Sequence, residues 1–210
     1  MKKIFFVSTG RCGTRRIYEI LKEKCPGTVV RHQMPCSRLA NIVGNLMYIF
    51  GQSDRIKKIF CNIILARHPH KKHFISCDPL TAMMIPYQEI LNPNTMVIHV
   101  YRPKNTFADS FFRRSRTRVK SLIAHNFIPF WQIGVWPLEN ILNKNIKNKY
   151  IRVHELKYDF FQKQYSKNPN FKQITMEEVF KSDFLEKTIN LFLNQNLSIS
   201  NKDLAIISNH

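Results

Sequence analysis

The stretch KIFFVSTGRCGT, residues 3–14, decides the fold. Its apolar run from Ile4 to Val7 is typical of a buried β-strand. Gly10 and Gly13 indicate a loop, and apolar residues at helical spacing follow between residues 14 and 24. This order of strand, loop and helix predicts the first unit of an α/β protein. The unpaired N–H groups at the start of such a helix favour a bound phosphate or sulfate.

Strands and helices alternate along the rest of the chain. Further strands are predicted at residues 28–31, 73–77, 95–101 and 150–154. Helices are predicted at residues 39–50, 56–65, 79–91, 136–146 and 184–193, with others beginning near Asn105, Glu155 and Thr175. We therefore expect a single α/β domain over residues 1–210. It has three layers, with a central, mainly parallel sheet flanked by helices.

A second junction of strand and helix lies at residues 97–110. Arg102 leaves the end of the clearest strand in the chain, and Ser110 follows eight residues later on the predicted helix. Because the carboxyl ends of parallel strands share one edge of a sheet, both side chains can reach one anion there.

The charge of the chain is strongly positive. It has 33 Lys and Arg against 14 Asp and Glu, a formal net charge of +19, and the excess lies in the first two thirds. Such a charge predicts polyanionic partners: nucleic acid, an anionic membrane surface, or small molecules that carry phosphate or sulfate. The hydrophobic content of 44% excludes a disordered basic tail.

The cysteines and the amino terminus predict a cytoplasmic protein. Five cysteines are an odd number, and their spacing matches no disulfide framework. The apolar run at residues 4–7 is far shorter than that of a signal peptide, and no run long enough for a transmembrane helix follows. Secretion without such a leader stays open, as does peripheral contact with a membrane.

The two junctions together resemble those of the sulfotransferases that use 3′-phosphoadenosine 5′-phosphosulfate (PAPS). In that family a short Arg/Lys-Ser/Cys-Gly-Thr core binds the 5′-phosphosulfate, and Arg11-Cys12-Gly13-Thr14 matches it here. A strand ending in Arg, with a Ser eight residues later, binds the 3′-phosphate, and Arg102 and Ser110 match that element. Weaker similarity extends the resemblance over residues 3–197. It implies a P-loop NTPase-like sulfotransferase fold of the small, bacterial type.

The resemblance also implies roles for these residues. Arg11 acts at the bridging oxygen and the leaving phosphate of PAPS, while Cys12, Gly13 and Thr14 hold the 5′-phosphosulfate. Arg15 adds charge to that site or meets an anionic acceptor. Arg102 and Ser110 hold the 3′-phosphate. PAPS is then the co-substrate, and no metal is expected.

The general base and the acceptor are less well defined. His32, just past the second predicted strand, and Asp78, at the end of the third, are the candidates for the base. Asp78 also suits the N-cap of a helix that begins at Pro79. The acceptor is an unidentified hydroxyl or amine compound, for which an anionic glycan, lipid or small molecule fits the charge.

Some features of the chain leave alternatives open. Arg15 stands where relatives often have Thr or Ser, and Pro103 directly follows Arg102, so a catalytically degraded sulfotransferase-like protein is one alternative. A nucleic-acid-binding module is another, because a run of arginines lies near several aromatic residues. That run is Arg113, Arg114, Arg116 and Arg118.

Two smaller motifs have weaker alternatives. The residues His68, His70, His73 and Cys77 can be read as a zinc cluster, although their spacing matches no common zinc module. Cys12 can be read as a nucleophile, but the Arg six residues later that a phosphatase needs is replaced by Tyr18.

Overall fold

The computed structural model describes residues 1–33, 36–65, 73–117, 145–181 and 183–204, together with residues 123, 131 and 133. Five strands form one sheet in the order β2-β3-β1-β4-β5, and each pair of neighbours is parallel. The strands are β1 (Lys2–Ser8), β2 (Thr28–Arg31), β3 (His73–Ser76), β4 (Thr95–Tyr101) and β5 (Lys172–Thr175). The predicted α/β class with a central parallel sheet is confirmed.

Helices connect the strands and cover the sheet. Those in the described residues, numbered in chain order, are α1 (Thr14–Lys24), α2 (Ser37–Phe50), α3 (Asp54–Leu65), α4 (Tyr87–Ile90), α5 (Lys104–Thr117), α6 (Ile146–Tyr165), α7 (Met176–Lys181), α8 (Phe184–Leu193) and α9 (Asn201–Leu204). A 3₁₀ turn covers Ala82–Met84. Within this described part, no helix is both long and apolar enough to cross a membrane.

The core lies on both faces of the sheet because side chains alternate along each strand. Ile4 and Phe6 of β1 pack into one apolar cluster with residues of α1, α7 and α8. Phe5 and Val7 point the other way, into a second cluster with residues of α6. The result is the expected three-layer arrangement of helices, sheet and helices.

The connections that follow β1 and β4 run to opposite sides of the sheet. After β1 the chain continues through α1 to β2 on one side, and after β4 it continues through α5 and α6 to β5 on the other. The two strands are paired up to Ser8 and Val100, so both end at the same level. Such a switch point opens a crevice at the carboxyl ends of the strands, where α/β proteins bind their ligands.

The predicted strand at residues 150–154 is wrong, because these residues belong to α6. Tyr150, Val153 and Phe161 are buried at helical spacing, and the side chain of Asn145 caps the helix by accepting hydrogen bonds from the N–H groups of residues 147 and 148. Packing of α6 against α5 and the sheet overrides the β-propensity of Tyr, Ile and Val.

Other predicted boundaries also need correction. The helix predicted at residues 79–91 is only a 3₁₀ turn and the short α4, because Pro86 keeps Ile85 extended. Helix α5 begins at Lys104, one residue before the predicted start near Asn105. β5 was not predicted. The helix predicted at residues 136–146 lies, apart from its last two residues, outside the described residues.

Candidate functional site

The loop between β1 and α1 has a tightly constrained backbone. Gly10, Arg11 and Gly13 all adopt positive φ angles, of 104°, 57° and 73°. The loop lies between aromatic side chains: a Cβ on Gly10 would be 3.5 Å from the Phe111 ring, and one on Gly13 would be 2.6 Å from the Phe180 ring. Glycine is therefore required at position 13 both for its backbone angle and for space.

The start of α1 faces this loop without a side-chain cap. Gly13 occupies the N-cap position, and the first turn of the helix contains no acidic residue. Thr14, the first helical residue, is buried. The helix therefore offers uncapped N–H groups and the positive end of its dipole to the loop, an arrangement suited to an oxyanion.

A hydrogen bond joins the two predicted anion-binding loops. Arg11 Nε donates to Ser110 Oγ over 3.2 Å, across 99 positions of sequence. Ser110 is buried on α5, one residue before the Phe111 ring that contacts the loop. The structure thus brings Arg11 and Ser110 to one corner, at the crevice between β1 and β4.

Arg102 lies at the end of β4 beside the same corner. It is half-buried, its Nε donates to Met176 Sδ over 2.9 Å, and its carbonyl oxygen accepts a hydrogen bond from His154 Nε2 at 2.8 Å. Within the described residues it forms no ion pair. Arg102 and Glu177 of α7 both interact electrostatically with the Cys12 thiol, with opposite effects on its pKa.

Cys12 has a structural role in the loop. Its thiol is completely buried and donates to the carbonyl oxygen of Gly10 over 3.1 Å. Burial raises its pKa to about 11, against a smaller opposing effect of the Thr9 hydroxyl. Because a neutral thiol is a poor nucleophile, this geometry does not favour the reading of Cys12 as a catalytic nucleophile.

Arg15 points away from the corner. Its side chain is exposed, and its Nε donates to Glu19 Oε1 over 3.1 Å, one turn further along α1. The structure therefore groups Arg11, Cys12, Gly13 and Thr14 in the loop and leaves Arg15 on the solvent side of the helix.

The two candidate bases lie on the other half of the carboxyl edge, after β2 and β3. The His32 ring is half-buried, 5.7 Å from the Tyr18 ring, and burial lowers its pKa while Asp78 opposes that change. Asp78 is fully buried, and both its oxygens accept hydrogen bonds, from the N–H of Leu80 at 3.0 Å and from the Ser37 hydroxyl. Because no helix begins at Pro79, Asp78 caps none; its carboxylate instead holds the turn at residues 78–80 and links it to Ser37 of α2.

Lys157 approaches the loop from α6, and no sequence motif indicated it. It falls on the inward side of the helix, between His154 and Phe161. Burial lowers its pKa to about 8, and the nearby Cys12 thiol acts in the opposite direction. Within the described residues Lys157 forms no hydrogen bond or ion pair. The signal was helical periodicity over residues 150–161, which the strand prediction concealed.

A cleft of about 360 Å³ opens beside Arg102, between the end of β4 and α6. It is lined by Tyr101, Arg102, Pro103, Lys104, Arg152, His154, Glu155, Tyr158 and Asp159. The Tyr101 and Tyr158 rings are 5.5 Å apart, and Lys104 pairs with Glu155 at 2.8 Å. The cleft combines aromatic surface with three cations, Arg102, Lys104 and Arg152, that outnumber its two carboxylates, a pairing suited to a nucleoside that carries phosphate.

Below the cleft, His99 is completely buried on β4 among aromatic rings. Neither of its ring nitrogens has a hydrogen-bond partner among the described residues. Burial lowers its pKa to about 3, so the ring stays neutral. It therefore serves as a core residue.

The remaining motifs fall partly outside the described residues. Of the zinc candidates, His68 and His70 lie outside them, and the described residues contain no group of three or more ligands that could hold a metal. In the arginine run, Arg113 is exposed and Arg114 half-buried on α5, and Arg118 lies outside. No protein-family model matches this chain, and comparison with curated proteins and with solved structures finds no match.

Proposed function

We propose that this protein transfers a sulfuryl group from PAPS to a hydroxyl or amine of an acceptor. The observation that carries this proposal is the hydrogen bond between Arg11 and Ser110, at the switch point of a parallel sheet. It unites two loops that the family resemblance assigns to opposite ends of one nucleotide, and it places them where α/β proteins bind such ligands.

In this proposal, different residues of the corner bind different groups of the nucleotide. The uncapped N–H groups of residues 12–14 and the Thr14 hydroxyl hold the 5′-phosphosulfate, with Lys157 as a further cation. Arg102 and Ser110 hold the 3′-phosphate through charge-assisted hydrogen bonds. The cleft beside Arg102 receives the nucleoside, with Tyr101 and Tyr158 as stacking surfaces.

Transfer in this site depends on positioning and charge. The acceptor oxygen or nitrogen bonds to sulfur as the bond from sulfur to the bridging oxygen breaks, and 3′-phosphoadenosine 5′-phosphate (PAP) leaves. Arg11 stabilises the negative charge that grows on the leaving phosphate. His32 takes the acceptor proton, because its lowered pKa keeps the ring neutral near pH 7. Asp78 is the second candidate for this step.

A substrate screen tests the role of His32. With PAPS and any compound that the enzyme sulfates, His32→Ala should lower kcat by about 100-fold or more. The affinity for PAP should stay unchanged, because His32 follows β2, two strands from β1. Unchanged kcat would remove His32 as the base and make Asp78 the next residue to test.

Calorimetric titration with PAP tests the proposal as a whole. We expect saturable binding with one site per chain. A parallel titration with a DNA or RNA oligonucleotide, at several salt concentrations, distinguishes the nucleic-acid-binding alternative, for which affinity falls steeply with salt. Oligonucleotide binding that PAP does not displace, without binding of PAP itself, would contradict the proposal. Binding of PAP without transfer to any acceptor would favour a degraded enzyme.

A further inference from the structure

Arg102 is held by hydrogen bonds at its backbone and at its side chain. The carbonyl oxygen accepts a hydrogen bond from His154 Nε2 at 2.8 Å, and the side-chain Nε donates to the sulfur of Met176 over 2.9 Å. These two partners belong to different helices, since His154 lies on α6 and Met176 begins α7. The residue that follows β4 is therefore fixed from two directions.

The His154 ring is itself fixed by packing. It is buried, its centre lies 5.0 Å from that of the Phe107 ring on α5, and it stacks at 18° on the Tyr158 ring one turn further along α6. Because a carbonyl oxygen can only accept a hydrogen bond, His154 Nε2 carries the proton. Burial lowers the pKa of His154, so the ring is neutral near pH 7 and its single proton is the one donated to Arg102.

The next residue also restricts the backbone at Arg102. Pro103 disfavours the helical conformation at the position before it, so α5 cannot extend back to include Arg102. The N–H of Phe107 accordingly donates to the carbonyl oxygen of Pro103, which gives α5 its first hydrogen bond. The carbonyl group of Arg102 lies between the end of β4 and the start of α5, and His154 supplies the donor for it.

The bond to Met176 leaves the phosphate-binding end of Arg102 available. It uses Nε, whereas the two terminal NH₂ groups form the fork that binds a phosphate through two hydrogen bonds. A thioether sulfur is a weak, uncharged acceptor. Met176 therefore restricts the rotamers of Arg102 without neutralising its charge, as a carboxylate at the same place would.

We propose that His154 and Met176 are positioning residues that preorganise Arg102 for the 3′-phosphate of PAP. His154 fixes the point at which the Arg102 side chain leaves the strand, and Met176 fixes the direction of its guanidinium group. An arginine already held in its binding geometry loses less conformational freedom when the phosphate binds, which raises the affinity. This inference rests on the proposed function and deepens it, because it names the residues that give the nucleotide site its selectivity for a 3′-phosphate.

Calorimetry with two nucleotides tests the inference. PAP is compared with adenosine 5′-monophosphate, which lacks the 3′-phosphate, for wild type, His154→Phe and Met176→Leu. His154→Phe keeps a ring against Phe107 and Tyr158 but removes the donor, and Met176→Leu keeps the apolar volume but removes the sulfur. The preference of wild type for PAP should fall about tenfold in His154→Phe and about threefold in Met176→Leu. The affinity for the monophosphate should stay unchanged.

Two further variants make the test specific. His154→Gln keeps an N–H donor for the Arg102 carbonyl and should retain most of the preference for PAP. Met96→Leu is the matched control for Met176→Leu, because Met96 is equally buried but lies near the opposite end of β4. It should bind both nucleotides like the wild type. Thermal unfolding followed by circular dichroism checks that each variant folds, and Met176→Leu with its control decides the test if His154→Phe does not.

Two results would overturn this inference while leaving the proposed function intact. One is a wild-type preference for PAP in both His154→Phe and Met176→Leu. The other is a loss of affinity that is equal for PAP and the monophosphate, because a general structural effect or direct contact with the nucleoside would act on both ligands. A wild-type protein that binds the two nucleotides equally would instead contradict the proposed function, and this inference with it.

Discussion

The two halves of the sheet's carboxyl edge differ in whether their charged side chains have partners within the protein. At the ends of β1 and β4, Arg102 and Lys157 have no carboxylate partner among the described residues, and the loop beside them presents uncapped N–H groups. At the ends of β2 and β3, both oxygens of the buried Asp78 already accept hydrogen bonds. The first half therefore suits the anion that we propose, whereas the carboxylate of the second half is already satisfied within the protein.

This difference separates two kinds of polar residue that look alike in a sequence. A partly buried cation without a carboxylate partner destabilises the fold, and a bound anion offsets that cost. A buried carboxylate with two donors stabilises the fold and needs no ligand. Substitutions in the first half should therefore change ligand affinity, and those in the second should change stability.

Gly13→Ala should have the largest effect on the fold. An added Cβ would meet the Phe180 ring at 2.6 Å and would require a left-handed backbone at φ 73°. We expect a loss of about 2–4 kcal/mol in the free energy of unfolding. Gly27→Ala is the matched control, because Gly27 has φ 83° but nothing within 4 Å of the added Cβ. It should cost only about 1 kcal/mol. Equal losses in urea unfolding would contradict the close packing of the loop.

Arg11→Ala should weaken PAP binding about 100-fold, because charge-assisted hydrogen bonds are each worth roughly 1.5–3 kcal/mol. Arg15→Ala should change the affinity less than about threefold, since Arg15 is exposed and paired with Glu19. Calorimetry on both variants compares two arginines of one motif. A larger loss of PAP affinity for Arg15→Ala than for Arg11→Ala would contradict the role given to Arg11.

Asp78→Asn should lower the free energy of unfolding by about 1–3 kcal/mol, because it weakens the bonds to Leu80 and Ser37. His32→Ala, on the same half of the edge, should cost less than about 1 kcal/mol, since His32 is only half-buried. Neither change should alter the affinity for PAP. Chemical denaturation measures the first effect, and an Asp78→Asn protein as stable as the wild type would argue against a structural role for these two hydrogen bonds.

Lys157→Met should weaken PAP binding about tenfold without lowering thermal stability, because it removes a partly buried charge that lacks a partner. Lys163→Ala, an exposed lysine on the same helix, is the control and should bind normally. A fall in melting temperature with unchanged affinity would assign Lys157 to the core.

The pH dependence of binding follows from the lowered pKa of Lys157. Burial favours its neutral form and brings the pKa to about 8, so the cation is lost as the pH rises through that value. The affinity of wild-type protein for PAP should therefore fall between about pH 7 and pH 9. Lys157→Met should lack this part of the pH dependence. If the affinity for PAP fell equally with rising pH in wild type and in Lys157→Met, the role of Lys157 would be contradicted.

The sequence was sufficient to predict that the two strand–helix loops lie at one edge of the sheet. Apolar runs predicted β1 to β4, and the parallel sheet then required the loops containing Arg11 and Arg102 to share an edge. The exposed position of Arg15 could also be predicted, because Glu19 lies four residues further along the same helix, where the two side chains can pair. The full burial and double hydrogen bonding of Asp78 could not be deduced, since Ser37 comes from a distant part of the chain.

The errors came from segments whose structure depends on tertiary packing. β5 is a short edge strand in which Lys172 and Gln173 are exposed and only Ile174 is buried, so it has no apolar run. The segment at residues 150–154 has a strand-like composition, and its packing against α5 and the sheet favours the helix. That one error concealed Lys157, because the position faces the loop only when the segment is a helix.

Whether Arg102 binds the 3′-phosphate of PAP is tested most directly by removing that phosphate from the ligand and the Arg102 side chain from the protein. Calorimetry gives the Kd of PAP and of adenosine 5′-monophosphate, which lacks that phosphate, for wild type, Arg102→Ala and the exposed control Arg55→Ala. Wild type and Arg55→Ala should bind PAP about 100-fold more tightly than the monophosphate, and Arg102→Ala should bind both about equally. The same preference for PAP in Arg102→Ala as in wild type would contradict binding of the 3′-phosphate by Arg102.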